Sequence, residues 1–338
     1  MGNDKSKKII GTGIVAAGIT AVGAVSHAIT KNLVNIAVDR DMPHKELAED
    51  EPSHALPRKA VSQAVARFKG SADDAAFRES VAIASRNLKE QEHSIVETTA
   101  NDGEKLVGHW FECSNAKRIV IAMHGWRSSW SNDFGLISEF LHNNNCSVLY
   151  VEQRGQGNSG GDYMGLGLLE RYDCKDWVNW INATQGDTLP MYLAGVSMGA
   201  ATVLMATGLE LPENVCGVIA DCGFTSPYEI SKHVVENNLH MSYGIRGEIA
   251  DALCKKKTQI GTRAYSAIDA MKQNTIPVLF IHGADDTFVP VTMTYENYKA
   301  CAAPKELLVV PGADHAMSYY IDREKYEEIV RSFWEKYA

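Results

Sequence analysis

The chain has 338 residues, 45% of them apolar, enough to bury one large core with extensions. Its formal net charge of −9 argues against a nucleic-acid partner, which needs a basic face. The seven cysteines (Cys113, Cys146, Cys174, Cys216, Cys222, Cys254 and Cys301) form no Cys-x-x-Cys pair and no Cys/His cluster, so no zinc site is expected; their odd number leaves at least one thiol unpaired.

In chain order, Lys5, Lys7 and Lys8 come first, followed by a stretch from Ile9 to Thr30 without Asp, Glu, Lys or Arg. At about 22 residues that stretch is long enough to span a bilayer. Gly13, Ala17 and Ala21 share one helical face, a pattern that suits close helix packing. Residues 1–38 are therefore expected to be a membrane anchor or signal segment. The lysine cluster would stay cytoplasmic and the rest of the chain would lie outside, tethered to the membrane. A cleaved signal peptide ending near Ala24-Val25-Ser26 and a soluble amphipathic helix are the alternatives. Residues 39–91 form an expected helical extension. Pro43, Pro52 and Pro57 punctuate its start, and Ala60 to Phe68 and Ala75 to Leu88 carry apolar residues at helical spacing.

From residue 92 the pattern changes to a catalytic domain reaching residue 338. His93 to Thr99 and Lys105 to Cys113 alternate, and Asp102-Gly103 between them is a hairpin signal. Short apolar runs follow at Arg118 to Met123, Val148 to Val151, Met191 to Ala194, Cys216 to Ala220, Val278 to Ile281 and Leu307 to Val310. Helical patterns separate them at Asp133 to His142, Leu168 to Ile181, Ala200 to Leu209, Val291 to Ala302 and Asp322 to Lys336. Strands alternating with helices predict a mostly parallel sheet covered on both faces. A polar helical segment at about residues 225–274 interrupts the alternation, where a lid would be. Lys255-Lys256-Lys257 within it reads as solvated surface.

The most informative stretch is Gly195-Val196-Ser197-Met198-Gly199. It follows a strand pattern and opens a helical one, the context of a G-x-S-x-G nucleophile elbow. Gly157-Asn158-Ser159-Gly160-Gly161 fits the same pattern, but it follows a glycine-rich loop and no apolar helix starts after it, so it reads as a turn. A serine hydroxyl needs a base, and the base needs an orienting group. Downstream, His282-Gly283-Ala284-Asp285-Asp286 and Pro311-Gly312-Ala313-Asp314-His315 each leave a strand at its carboxyl end. His315 is the candidate base. Asp285 and Asp286 compete for the acid, and His282 reads as a packed strand-terminal histidine. An oxyanion hole takes two backbone amides. Met198, directly after the serine, offers one; Trp126, in the loop His124-Gly125-Trp126-Arg127, offers the other.

Four segments together resemble the α/β-hydrolase superfamily: the His-Gly loop at 124, Glu152-Gln153-Arg154-Gly155-Gln156-Gly157-Asn158-Ser159, the elbow at 195, and His-Gly-x-x-Asp-x-x-Val-Pro from 282. They span most of residues 93–338. The set most resembles the bacterial branch of serine aminopeptidases, carboxylesterases and acyl thioesterases. That resemblance implies an α/β-hydrolase fold with a helical lid and an N-terminal helical extension. It assigns the triad acid to Asp286, and so a triad of Ser197, Asp286 and His315. The loop at 152 usually begins with Asp; Glu152 departs from the pattern at a position whose role is structural.

The expected function is a serine hydrolase of acyl compounds, with short or medium carboxylic esters as small-molecule substrates. No organic cofactor and no metal is implied. A serine aminopeptidase is the enzymatic alternative, and a catalytically silent surface adhesion or scaffold protein the alternative from another class.

Overall fold

The computed structural model describes residues 26–41 and 75–338. Residues 26–38 form helix α1, and Ala75–Glu90 form α2. The body then builds β1 (Ser94–Thr99), β2 (Lys105–Phe111), β3 (Arg118–Met123), α3 (Trp130–Asn143), β4 (Cys146–Glu152), α4 (Glu170–Gln185), β5 (Met191–Val196), α5 (Met198–Ala206) and β6 (Val215–Asp221). Three α-helices follow, α6 (Pro227–His233), α7 (Gly244–Thr258) and α8 (Ala267–Gln273), with a short π-helical stretch at Val234–Asn238 after α6. The chain closes with β7 (Val278–Gly283), α9 (Val291–Ala300), β8 (Lys305–Val310), α10 (Ser318–Ile321) and α11 (Arg323–Lys336).

The eight strands lie in the order β1-β2-β4-β3-β5-β6-β7-β8. The β1–β2 hairpin is antiparallel, β2 pairs antiparallel with β4, and every pairing from β4 to β8 is parallel. Parallel strands need crossovers, and the crossover helices cover both faces. The strand sequences reflect this. In β3, Ile119, Ile121 and Met123 enter one core, while Val120 and Ala122 enter the other. The first core is closed by α4, α5, α8 and α9; the second by α2, α3 and α11. Trp177, Val178 and Ile181 of α4 serve the first, and Phe134, Phe140, Phe333 and Trp334 the second.

The helical insertion between β6 and β7 starts from well-capped ends. Ser226 accepts the amide of Glu229 before α6, and Ser266 accepts that of Asp269 before α8. All seven cysteines are free thiols.

Two features depart from the sequence reading. Residues 26–38, taken as the end of a membrane anchor or signal, instead form a helix seated on the body. Val34 and Val38 of α1 are buried with Ala250 and Cys254 of α7. Among the described residues no helix is long and apolar enough to cross a membrane. The remainder of the expected anchor, and the predicted helix at Ala60 to Phe68, lie outside the described residues. Lys257, read as solvated surface, is instead paired with Asp39 at 2.7 Å and sits over the Tyr163 ring.

Candidate active site

Ser197 sits between the end of β5 and the start of α5, with φ 55° and ψ −115°. A non-glycine residue holds that conformation only where its surroundings enforce it. The flanking glycines make the turn possible. A Cβ on Gly195 would lie 2.2 Å from the Gly199 carbonyl oxygen, and one on Gly199 only 1.8 Å from that of Met123. Strand and helix therefore pass too closely for any side chain at either position. The Ser197 amide is tied to the Asp221 carbonyl at 2.8 Å, which fixes the turn to the neighbouring strand.

The loop after β8 brings His315 to the serine. Its Nε2 lies 2.9 Å from Ser197 Oγ, and its Nδ1 lies 2.7 Å from Asp286 Oδ2. Asp286 is held on every side. Its Oδ1 accepts the amides of Phe288 and Val289 at 2.9 and 2.8 Å. Its Oδ2 also meets His282 Nε2 at 3.1 Å. His282 is fully buried; its Nδ1 faces the Thr294 hydroxyl at 2.6 Å and its Nε2 the Val289 carbonyl at 2.8 Å. Nε2 faces two acceptors, so the proton belongs there and Nδ1 accepts from Thr294. The histidine read as packing is thus a donor that braces the acid.

The electrostatics follow from this geometry. Burial alone pushes the Asp286 carboxyl up, but the His315 charge and the bonds from both histidines outweigh it and hold the carboxyl below its usual range. Burial pulls His315 down, yet the Asp286 charge beside it raises the imidazole well above its ordinary value. Asp285 faces solvent, and its amide bonds the Ala313 carbonyl. Asp314 instead caps the loop, accepting the amides of Thr287 and His315.

Met198 opens α5, so its amide has no intrahelical acceptor and lies beside the serine. The loop at 124 crosses on the other side. A Cβ on Gly125 would touch Ser197 Cβ at 3.3 Å. The Gly125 amide is committed to Asp133 at 2.6 Å. Trp126, next in the loop, lines the same cavities as Ser197, and its indole donates to the Ala37 carbonyl of α1 at 2.7 Å. Ser159 plays a different part: its hydroxyl donates to the Glu152 carbonyl and accepts the Val107 amide at 2.9 Å, pinning a buried loop. Glu152 accepts from Asn158 and pairs with His109 at 2.7 Å, so the loop is braced by the very residue that departs from the resembled pattern.

Sequence reasoning missed Cys222. It follows β6 with φ 49°, buried, and its sulfur lies within 4.8 Å of the His315 and Asp286 ligand atoms. Burial pushes its thiol up to about 11, so it is present as the neutral thiol at neutral pH. Only the fold joins it to residues 64 and 93 positions downstream, and no spacing rule could have found it.

A hydroxyl, an imidazole and a carboxylate in one hydrogen-bonded line can pass a proton from the hydroxyl to the imidazole. Several known proteins resemble this chain. A family model described as serine aminopeptidase, S33, matches residues 114–237. That span includes Trp126, Ser197 and Met198 and ends before Asp286. The uncharacterized protein YqkD of Bacillus subtilis is 27% identical over 241 residues, 68% of this chain and 75% of its own length. The lysophosphatidylserine lipase ABHD12 of Xenopus tropicalis is 24% identical over 221 residues, covering 64% of this chain and 55% of its own. Among solved structures, the esterase Pf2001 of Pyrococcus furiosus aligns with a TM-score of 0.62 at 23% identity, over 75% of this chain and 93% of that one. The strand order, the helix-covered, mostly parallel sheet and the match to this esterase give the chain the α/β-hydrolase fold.

Proposed function

We propose that the chain is a serine hydrolase of short or medium acyl esters. The observation that carries the reading is the Ser197–His315–Asp286 line, with the serine in a strained turn at a helix start. Ser197 Oγ gives its proton to His315 Nε2 and attacks the ester carbonyl. His315 Nδ1–H donates to Asp286, which holds the tautomer and stabilises the imidazolium. The amides of Met198 and Trp126 receive the oxyanion. His315 then protonates the leaving alcohol, and water activated by the same imidazole releases the acid from the acyl-enzyme.

The family model's description favours a second reading, a serine aminopeptidase. A free ammonium group needs a carboxylate anchor. Among the described residues, the apolar cavity beside Ser197 is lined by no carboxylate and by one charged side chain, Arg246. A second cavity that also reaches Ser197 has Asp133 and Asp221 on its wall, but Asp133 is bonded to the Gly125 amide and the Ser128 hydroxyl and Asp221 to the Ser318 hydroxyl. That favours the ester. The likeness to a lysophosphatidylserine lipase adds monoacyl lipid esters to the candidates, whereas the cavity, at about 140 Å³, favours shorter tails.

Purified protein assayed on p-nitrophenyl esters beside aminoacyl anilides tests the proposal. Ester turnover that Ser197→Ala lowers by about 10⁶ supports it. Turnover confined to the anilides would replace it with the aminopeptidase. We also propose that residues ahead of α1 tether the enzyme to the membrane, with the body outside; the uncharged stretch behind Lys5, Lys7 and Lys8 supports this.

A further inference from the structure

We infer that α1 forms the outer wall of an acyl-binding pocket, and that Leu33 and Ala37 on it set the length of acyl chain accepted. The inference rests on the esterase reading above and deepens it.

The cavity of about 140 Å³ reaches Ser197 and Met198 at one end. Leu33, Val34 and Ala37 of α1 line it on one side; Ile230 and Val235, from the insertion between β6 and β7, line it on another. An apolar cavity of ~150 Å³ takes a benzene ring, so this space takes an acyl tail of about six carbons or an aromatic acyl group. The tail leaves the carbonyl at Ser197 and ends against α1.

The wall is fixed by polar contacts as well as packing. The Arg127 guanidinium donates to the Ile36 carbonyl at 2.9 and 2.7 Å and to that of Asp39 at 2.5 Å. Trp126 reaches Ala37, and Lys257 holds Asp39. Arg40 reaches the carbonyls of Gly157 and Ser159 at 2.6 and 2.5 Å. Four of these seven contacts come from the loop that carries the proposed oxyanion donor, so the wall and the chemistry share one support. A helix that only stabilised the body could be tied down in this way. It would not also present apolar side chains to the space beside the nucleophile.

Two substitutions of opposite sense test this in the full chain. Ala37→Leu adds bulk to the wall, and Leu33→Ala removes it. Kinetics on p-nitrophenyl acetate, hexanoate and octanoate are paired with fluorophosphonate labelling of Ser197. Because an apolar pocket separates substrates by at least about tenfold per methylene misfit, Ala37→Leu should lower kcat/KM for hexanoate about tenfold relative to acetate. Leu33→Ala should move the preferred ester toward octanoate. Should Ala37→Leu fail to fold, Leu33→Ala alone decides. Labelling with unchanged chain-length ratios in the folded variants overturns the inference and leaves the esterase reading standing. Absence of labelling in the unmodified protein sinks both.

Discussion

Asp286 and Asp285 are neighbours in sequence and opposites in environment. One is enclosed by two amides and two imidazoles; the other faces water. Asp286→Asn should therefore lower kcat by about 10⁴ with the fold preserved. Asp285→Asn should stay within about threefold, the scale of an exposed substitution. Steady-state kinetics of both variants check the pair, and the reverse ranking moves the acid. His282 acts one step back, as a positioning residue. His282→Leu leaves an Asp286 lone pair without its donor, a cost of about 1–3 kcal/mol, and should lower kcat about tenfold or more with KM little changed. His282→Gln, which can still donate, should recover part of the loss; equal losses in both variants would reduce His282 to packing. The charge state of His315 gives a further outcome. The base must be neutral to accept the serine proton, and Asp286 raises its pKa. Activity should therefore climb with pH, with kcat/KM half-maximal above the ordinary imidazole value of about 6.5. A profile already flat from pH 5 upward contradicts that assignment.

At the scale of elements, the elbow is built by clearance between backbones. Gly199→Ala would drive a Cβ to 1.8 Å from the Met123 carbonyl oxygen, a contact with backbone that no rotamer relieves. The cost should reach about 3 kcal/mol or more, read as a fall in the urea midpoint together with lost turnover. Much of this was legible in the sequence because burial on both faces leaves short apolar runs, and the strand ends then locate the loops. All eight strands could be read that way, β1 and β2 from alternation and the hairpin turn. Ser197 and His315 followed from their places after β5 and β8, and the choice of Asp286 from the resembled motif. What escaped was tertiary. Nothing in the local pattern of residues 26–38 says that they pack on α7, because the same apolar spacing serves a membrane or a protein surface. The bracing role of His282 depends on Thr294 and Val289 meeting it across a turn. The position of Cys222 depends on the meeting of β6 with the loop after β8.

The molecule as a whole joins three layers to one end of a parallel sheet: the body that carries Ser197, the helical insertion above it, and α1 across the opening. Because α1 begins within the last residues of the long uncharged stretch, the proposed tether would hold the pocket close to the membrane surface. Protease added to intact cells should then degrade or release the body, whereas full protection together with recovery in the soluble cytosolic fraction would contradict the tether. None of this matters unless Ser197 is the nucleophile. The most direct measurement is peptide mapping by mass spectrometry after reaction with a fluorophosphonate. A single adduct on Ser197, lost in Ser197→Ala and retained in Ser159→Ala, is the expected result. An adduct on Ser159, or ester turnover that survives Ser197→Ala undiminished, would contradict it.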